Sequence, residues 1–153
     1  MKNNNISFSK TLSTLSYAMG AGQIIFLIVA FIIGKNTEIN KTIPDIEMFT
    51  YIVPLFLIGS MIFSSFIFTK KVSEANKLSV LSEKLALYRT GVLIRCFASE
   101  TTTILSIFVY MFTGRNLFVF IAILSIYVFF KNRPSKSKIA EDLDLSKEEI
   151  EQL

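Results

Sequence analysis

Residues 92–112, VLIRCFASETTTILSIFVYMF, decide how this chain is to be read. At 1.5 Å of rise per residue a helix over this run covers about 32 Å, which matches the roughly 30 Å hydrocarbon core of a bilayer. In lipid every backbone N–H and C=O needs an internal partner, so the run is expected to be a helix. Glu100 stands near its midpoint. A charged side chain at that depth costs about 2.5–3.5 kcal/mol on insertion scales, which makes it a functional-site candidate by default.

Three further apolar runs, 12–34, 48–69 and 117–130, flank this one, whose span is expected over about 90–112. Hydrophobic residues make up 52% of the 153-residue chain, and its mean hydropathy is +0.53. That exceeds an ordinary soluble domain, and the apolar residues come in blocks instead of at amphipathic spacing. No stretch alternates apolar and polar residues as a transmembrane barrel strand does. The expected fold is all-α: a polytopic membrane protein, a four-transmembrane-helix bundle with a short cytoplasmic helical tail over 132–153. The fourth run is short, about 21 Å as a helix; Arg115, Lys131 and Arg133 are expected to snorkel outward from its ends. Gly114 with Arg115 and Asn116 predicts a tight αα-hairpin between the third and fourth runs. Ala18, Gly20, Ala21 and Gly22 precede the long apolar stretch, whereas a signal-peptide cleavage site follows it, so the first run is expected to be retained.

Charge sets the expected orientation. Lys2, Lys10, Lys70, Lys71, Lys77, Lys84, Arg89, Lys131, Arg133, Lys136, Lys138 and Lys147 fall on one side of the four runs. Only Lys35, Lys41 and Arg115 fall on the other. The positive-inside rule then puts both termini in the cytoplasm of a bacterial inner membrane. Basic rims against anionic headgroups account for the +4 net charge without a nucleic-acid partner.

Residues 73–89 are expected to form a cytoplasmic amphipathic helix, because Leu78, Leu81, Leu85 and Tyr88 share one face of a 3.6-residue period. No Gly or Pro separates this segment from the third run, so one helix through both is expected. It serves as a linker on the headgroups or a docking surface. In the tail, Ser146 and Glu149 have capping-box spacing, with Leu145 and Ile150 as the hydrophobic staple. The segment 138–147 superficially resembles the front of a helix-turn-helix. The few residues after it are mostly acidic and would repel phosphate, which excludes DNA binding.

Two polar side chains lie at similar depth, Gln23 in the first run and Glu100 in the third. If those helices are neighbours, the Gln23 amide is expected to bond the Glu100 carboxyl, with Thr101, Thr102 and Thr103 adding hydroxyls. Arg95 is the tempting counter-ion, yet five residues place it about 140° around the helix from Glu100. Glu100 is therefore expected to be a neutral acid. Ser16 with Gly20, Ala18 with Gly22, and Ser60 with Ser64 repeat the four-residue spacing that lets helices approach closely. Pro54 is expected to kink the second run.

With no histidine, no tryptophan and only Cys96, the usual zinc, haem and iron–sulfur sites, an intrachain disulfide and a histidine-based triad are excluded. No cofactor is expected, and Cys96 reads as a small buried hydrophobe. Tyr88-Arg89, Arg95, Glu100, Tyr110, Thr113-Gly114, Asn116, Arg133-Pro134 and Asp142-Leu143 stand in this order in the second half. In that respect the chain resembles a family of small four-helix bacterial membrane proteins known chiefly from Bacteroidota. The resemblance covers roughly residues 85–145 and implies architecture, with no activity or catalytic residue attached. The leading expectation is a non-enzymatic accessory or scaffold subunit that contacts the lipid bilayer and other membrane-protein subunits or further copies of itself. The alternative is a proton- or ion-coupled oligomeric channel or transporter with Glu100 as its titrating group. A membrane enzyme is the weakest reading, because Glu100 and Arg95 supply no nucleophile.

Overall fold

The structure, a computed structural model, describes residues 6–36, 46–151 and 153; Lys2 and Lys41 of the charge count lie outside them. Regular structure among the described residues is entirely helical: α1 Ile6–Asn36, α2 Ile46–Ala75, α3 Leu81–Thr113, α4 Asn116–Lys131, α5 Lys136–Asp142 and α6 Lys147–Glu151. By length and composition α1, α2 and α3 can each cross a membrane; α4 makes a fourth only together with α5, from which it is bent by 74°. These elements are compatible with a multi-pass membrane protein. Pro54 lies inside α2.

Local chemistry accounts for several helix ends. α3 stops at Gly114, whose φ of 64° suits a residue without a Cβ and whose N–H bonds Tyr110 O at 2.8 Å. Two residues later α4 begins, as the hairpin reading requires. Ser135 caps α5 by accepting from the Lys138 N–H at 3.2 Å. The other end of α5 closes as a Schellman motif: Leu145 N–H reaches Ala140 O at 3.0 Å and Asp144 N–H reaches Glu141 O at 3.3 Å. Asp144 takes the left-handed position, φ 48°, usually given to glycine.

The single helix expected over 73–89 is not there. α2 runs on to Ala75, residues 76–80 form a turn, and α3 starts at Leu81. Asn76 and Ser79 are residue types that favour turns over helix interiors. Asn76 spends its amide on Asp142 O at 3.2 Å, fixing the turn to the tail. From Leu81 onward the segment read as cytoplasmic and the third apolar run are one helix of 33 residues.

α3 is the central element and packs on α1, α2 and α4. Along its length the interior is layered. At one end Leu12, Phe68, Leu85, Tyr88 and Phe129 gather with the tail residues Ile139, Leu143 and Leu145. At the other, Val53, Leu57, Val109, Phe118 and Ile121 pack together, with Ala30, Ile107 and Ala122 beside them. Between these apolar ends the interior is polar: Gln23, Ser64, Thr102, Thr103, Ser106 and Ser125 are all buried.

The closest α2–α3 approach at a glycine is at Gly91, where an added Cβ would sit 3.2 Å from Phe68 Cδ2 and 3.3 Å from Lys71 Cβ. Gly91→Ala is expected to be near neutral, since a tight contact is offset by up to about 1 kcal/mol of helix propensity. Gly91→Val should cost about 1–3 kcal/mol by overpacking. Unfolding midpoints of the two variants check this, and equal midpoints would refute the close approach.

Candidate functional site

The 100° turn per residue of an α-helix distributes the polar residues of α3 among its three neighbours. Thr103 faces α1, and its hydroxyl donates to Gln23 Oε1 at 2.9 Å. Thr102 lies about 100° away and meets the Ser60 hydroxyl of α2 at 2.9 Å. Ser99, about 40° from Thr103 on that same side, clasps α4. Its hydroxyl donates to Ser125 O at 3.0 Å, and the Ser125 hydroxyl donates back to Ser99 O at 3.0 Å. A hydroxyl reaching a neighbour's backbone carbonyl requires short side chains on both helices, which serine supplies. Buried and half-buried hydroxyls thus tie one helix to three others.

The expected Gln23–Glu100 bond is absent. Glu100 lies about 60° from Thr103 in the direction away from Ser99 and Thr102, so it comes to the flank of the α1–α3 seam. It is half-buried, and among the described residues it has no hydrogen bond or ion pair. Thr103, facing α1 more squarely, takes the Gln23 oxygen instead. Gln23 is only 3% exposed and its Nε2 is buried without a partner among the described residues. Thr103 has one hydroxyl proton for two acceptors, Gln23 Oε1 and Ser99 O at 3.1 Å. Turning the Gln23 amide over lets Nε2 donate to Thr103 while Thr103 donates to Ser99, and the unpartnered atom then becomes the oxygen.

Arg95 does not meet Glu100 either. Its guanidinium carbon lies 3.7 Å from the centroid of the Phe68 ring, a cation–π contact made toward α2. Asp142 of the tail attracts it through space. Arg115 hydrogen-bonds Thr50 at 2.8 Å, and Arg133 lies over the Tyr17 ring at 4.2 Å.

The small residues divide. Gly20 is buried, and a Cβ there would strike the Phe130 ring at 2.5 Å. Ser16 is buried with its hydroxyl on Leu12 O, and Ser64 is buried with its hydroxyl on Met61 O. Ser60 is half-buried and serves the α2–α3 joint. Gly22 is exposed, with nothing within 4 Å of an added Cβ, so the expected close approach there is not found. A four-residue spacing fixes a shared face but not which face is covered.

The tail docks. Tyr88, 1% exposed, donates its hydroxyl to Asp142 Oδ2 at 2.9 Å and meets Phe68 edge-on at 5.5 Å. Burial, and then the Asp142 charge, push the Tyr88 phenol well above its usual range. The capping box closes in both directions: Ser146 N–H reaches Glu149 Oε2 at 2.8 Å and Glu149 N–H reaches Ser146 Oγ at 3.3 Å. Those bonds hold the Glu149 carboxyl below its usual range. Lys84 adds an ion pair to Glu149 at 3.6 Å. Sequence spacing shows the box but not the surface it lands on.

Among the described residues no three His, Cys, Asp or Glu side chains converge as metal ligands. Comparison with protein-family models, with curated proteins and with solved structures finds no match.

Proposed function

We propose that this chain is a four-span integral protein of a bacterial inner membrane, with both termini cytoplasmic, and a non-enzymatic accessory or scaffold subunit of a membrane complex. The four-helix reading takes α4 as the short fourth span, flanked by Arg115 and Lys131. The orientation rests on the charge asymmetry, and the bacterial assignment on the family resemblance of the second half.

One observation carries the scaffold reading. The hydroxyls of Ser99, Thr102 and Thr103 in α3 are used in holding the chain's own helices, while Glu100 is left half-buried at mid-span with no partner among the described residues. A carboxyl facing lipid at that depth is costly, and a hydrogen-bonding group from a second protein removes the cost. The large apolar side chains around it, Phe97, Ile104 and Phe108, are exposed and supply contact area.

Purification of the full chain in mild detergent, with Glu100→Gln and Glu100→Leu beside it, tests this. A stoichiometric partner, either another subunit or a second copy, should stay with wild type and with Glu100→Gln, which keeps hydrogen-bonding capacity. Glu100→Leu should weaken the association about 3- to 20-fold, the equivalent of the roughly 0.6–1.7 kcal/mol measured for interhelical hydrogen bonds in membranes. A lone monomer in wild type contradicts the scaffold reading. If instead Glu100→Gln assembles normally but abolishes pH-coupled flux in liposomes, the protein is a proton-coupled transporter.

A further inference from the structure

A narrow cleft lies between α2, α3 and α4, lined by Ser60, Ser64, Arg95, Ser99, Ser125 and Asn132 among others. Its cavity volume is about 30 Å³, room for about two water molecules. We infer that this cleft is a hydration site inside the proposed membrane-embedded region, built to hold ordered water.

The hydrogen-bond inventory of the lining selects the ligand. The hydroxyl protons of four lining serines are already committed, Ser64 to Met61 O, Ser99 and Ser125 to each other's carbonyls, and Ser60 to Leu57 O or the Thr102 hydroxyl, which leaves Ser65 at the exposed rim as the fifth. What these serines offer the cleft is oxygen lone pairs. Arg95 and Asn132 offer N–H donors. A cation is repelled by the guanidinium, and an anion meets the serine oxygens. A small neutral molecule that donates and accepts satisfies both sides, and at this volume that molecule is water. The consequence reaches Arg95, which has no ion pair within 4.0 Å among the described residues and lies at the edge of an apolar layer. Water in the cleft lets it remain charged there, beside the Phe68 ring and within the pull of Asp142.

The inference rests on the membrane placement proposed above, and the experiment separates the two. Cys96 lines the cleft and is the only cysteine of the chain, so it reports on its own surroundings. The full chain is reconstituted in phospholipid liposomes and exposed to silver ion, and remaining thiol is then labelled with a maleimide in SDS. Silver should block Cys96 in wild type. Ser64→Val, whose added bulk fills the cleft, should slow blocking about tenfold, as expected when a close-packed interior excludes water. Should Ser64→Val fail to fold by circular dichroism, Asn132→Leu makes the same comparison. An inert Cys96 in wild type, or equal rates with and without the filling substitution, means a dry cleft and overturns the inference. Thr101→Cys in a Cys96→Ala background places a thiol on the exposed face of α3 and should stay unreactive. If it reacts as fast as Cys96, the membrane placement fails, and the Ser64→Val comparison still decides the cleft.

Discussion

Tyr88→Ala is expected to cost about 3–5 kcal/mol and to free the tail. Tyr88 is 1% exposed, meets the Phe68 ring and the Asp142 carboxylate, and belongs to the same apolar cluster as Ile139 of α5. Its cluster is on the side read as cytoplasmic, where the unfolded alternative is water, so the transfer cost of an exposed aromatic adds to the cavity left behind. Tyr88→Phe separates the hydroxyl from the ring. It should cost about 1.5 kcal/mol, the low end for a hydrogen bond to a charged group, because half-buried Asp142 can recover water. Limited proteolysis of residues 133–153 reads both effects, since cleavage tracks the population of the opened tail. Cleavage of Tyr88→Ala at the wild-type rate would refute the docking.

The same bond has a pH signature. Tyr88's phenol is raised in the folded state, so the folded chain holds its proton where an unfolded tyrosine has lost it. Stability from this source is fully present below the ordinary tyrosine value near 10 and is lost as pH climbs above it toward the raised value. Near neutral pH the titration of Tyr88 should therefore contribute nothing to the pH dependence of tail opening, read by hydrogen exchange. The tail should loosen above about pH 10 in wild type, and Tyr88→Phe should lack that added loss.

The helices were legible in the sequence because an apolar run of that length, read as a membrane span, has few alternatives to helix. Turn chemistry was legible where one residue type is nearly obligatory, as at Gly114, and so was the reciprocal spacing of Ser146 and Glu149. The turn at 76–80 was not. Leu78, Leu81, Leu85 and Tyr88 carry helical periodicity through it, the signals of Asn76 and Ser79 are weak, and the bond from Asn76 to Asp142 O joins residues far apart in the chain. Gln23 and Glu100 were matched by depth, but a sequence gives depth more readily than rotation about the helix axis. A displacement of about 60° was enough to hand the Gln23 oxygen to Thr103. Gly91 carries no spaced small partner in α2, so its contact with Phe68 and Lys71 becomes visible only once the two helices are placed side by side.

Phe118→Ala should be the most damaging single truncation at the far end, for a different physical reason. Phe118 is fully buried among Val53, Leu57, Val109 and Ile121, where α2, α3 and α4 meet. On the proposed placement its neighbourhood is lipid, and moving an apolar ring between lipid and protein releases no hydrophobic energy. The cavity remains. At about 24 cal/mol per Å³, a residual void of roughly 100 Å³ costs about 2.4 kcal/mol. Deleting the Gln23–Thr103 joint by Thr103→Val removes a bond whose membrane average is about 0.6 kcal/mol and keeps the side-chain volume. Packing should therefore outweigh polar joining, and SDS-induced unfolding in mixed micelles should rank Phe118→Ala well below Thr103→Val. The reverse order would mean that the hydroxyl layer, with Gln23 at its edge, holds these helices together more strongly than their apolar ends do.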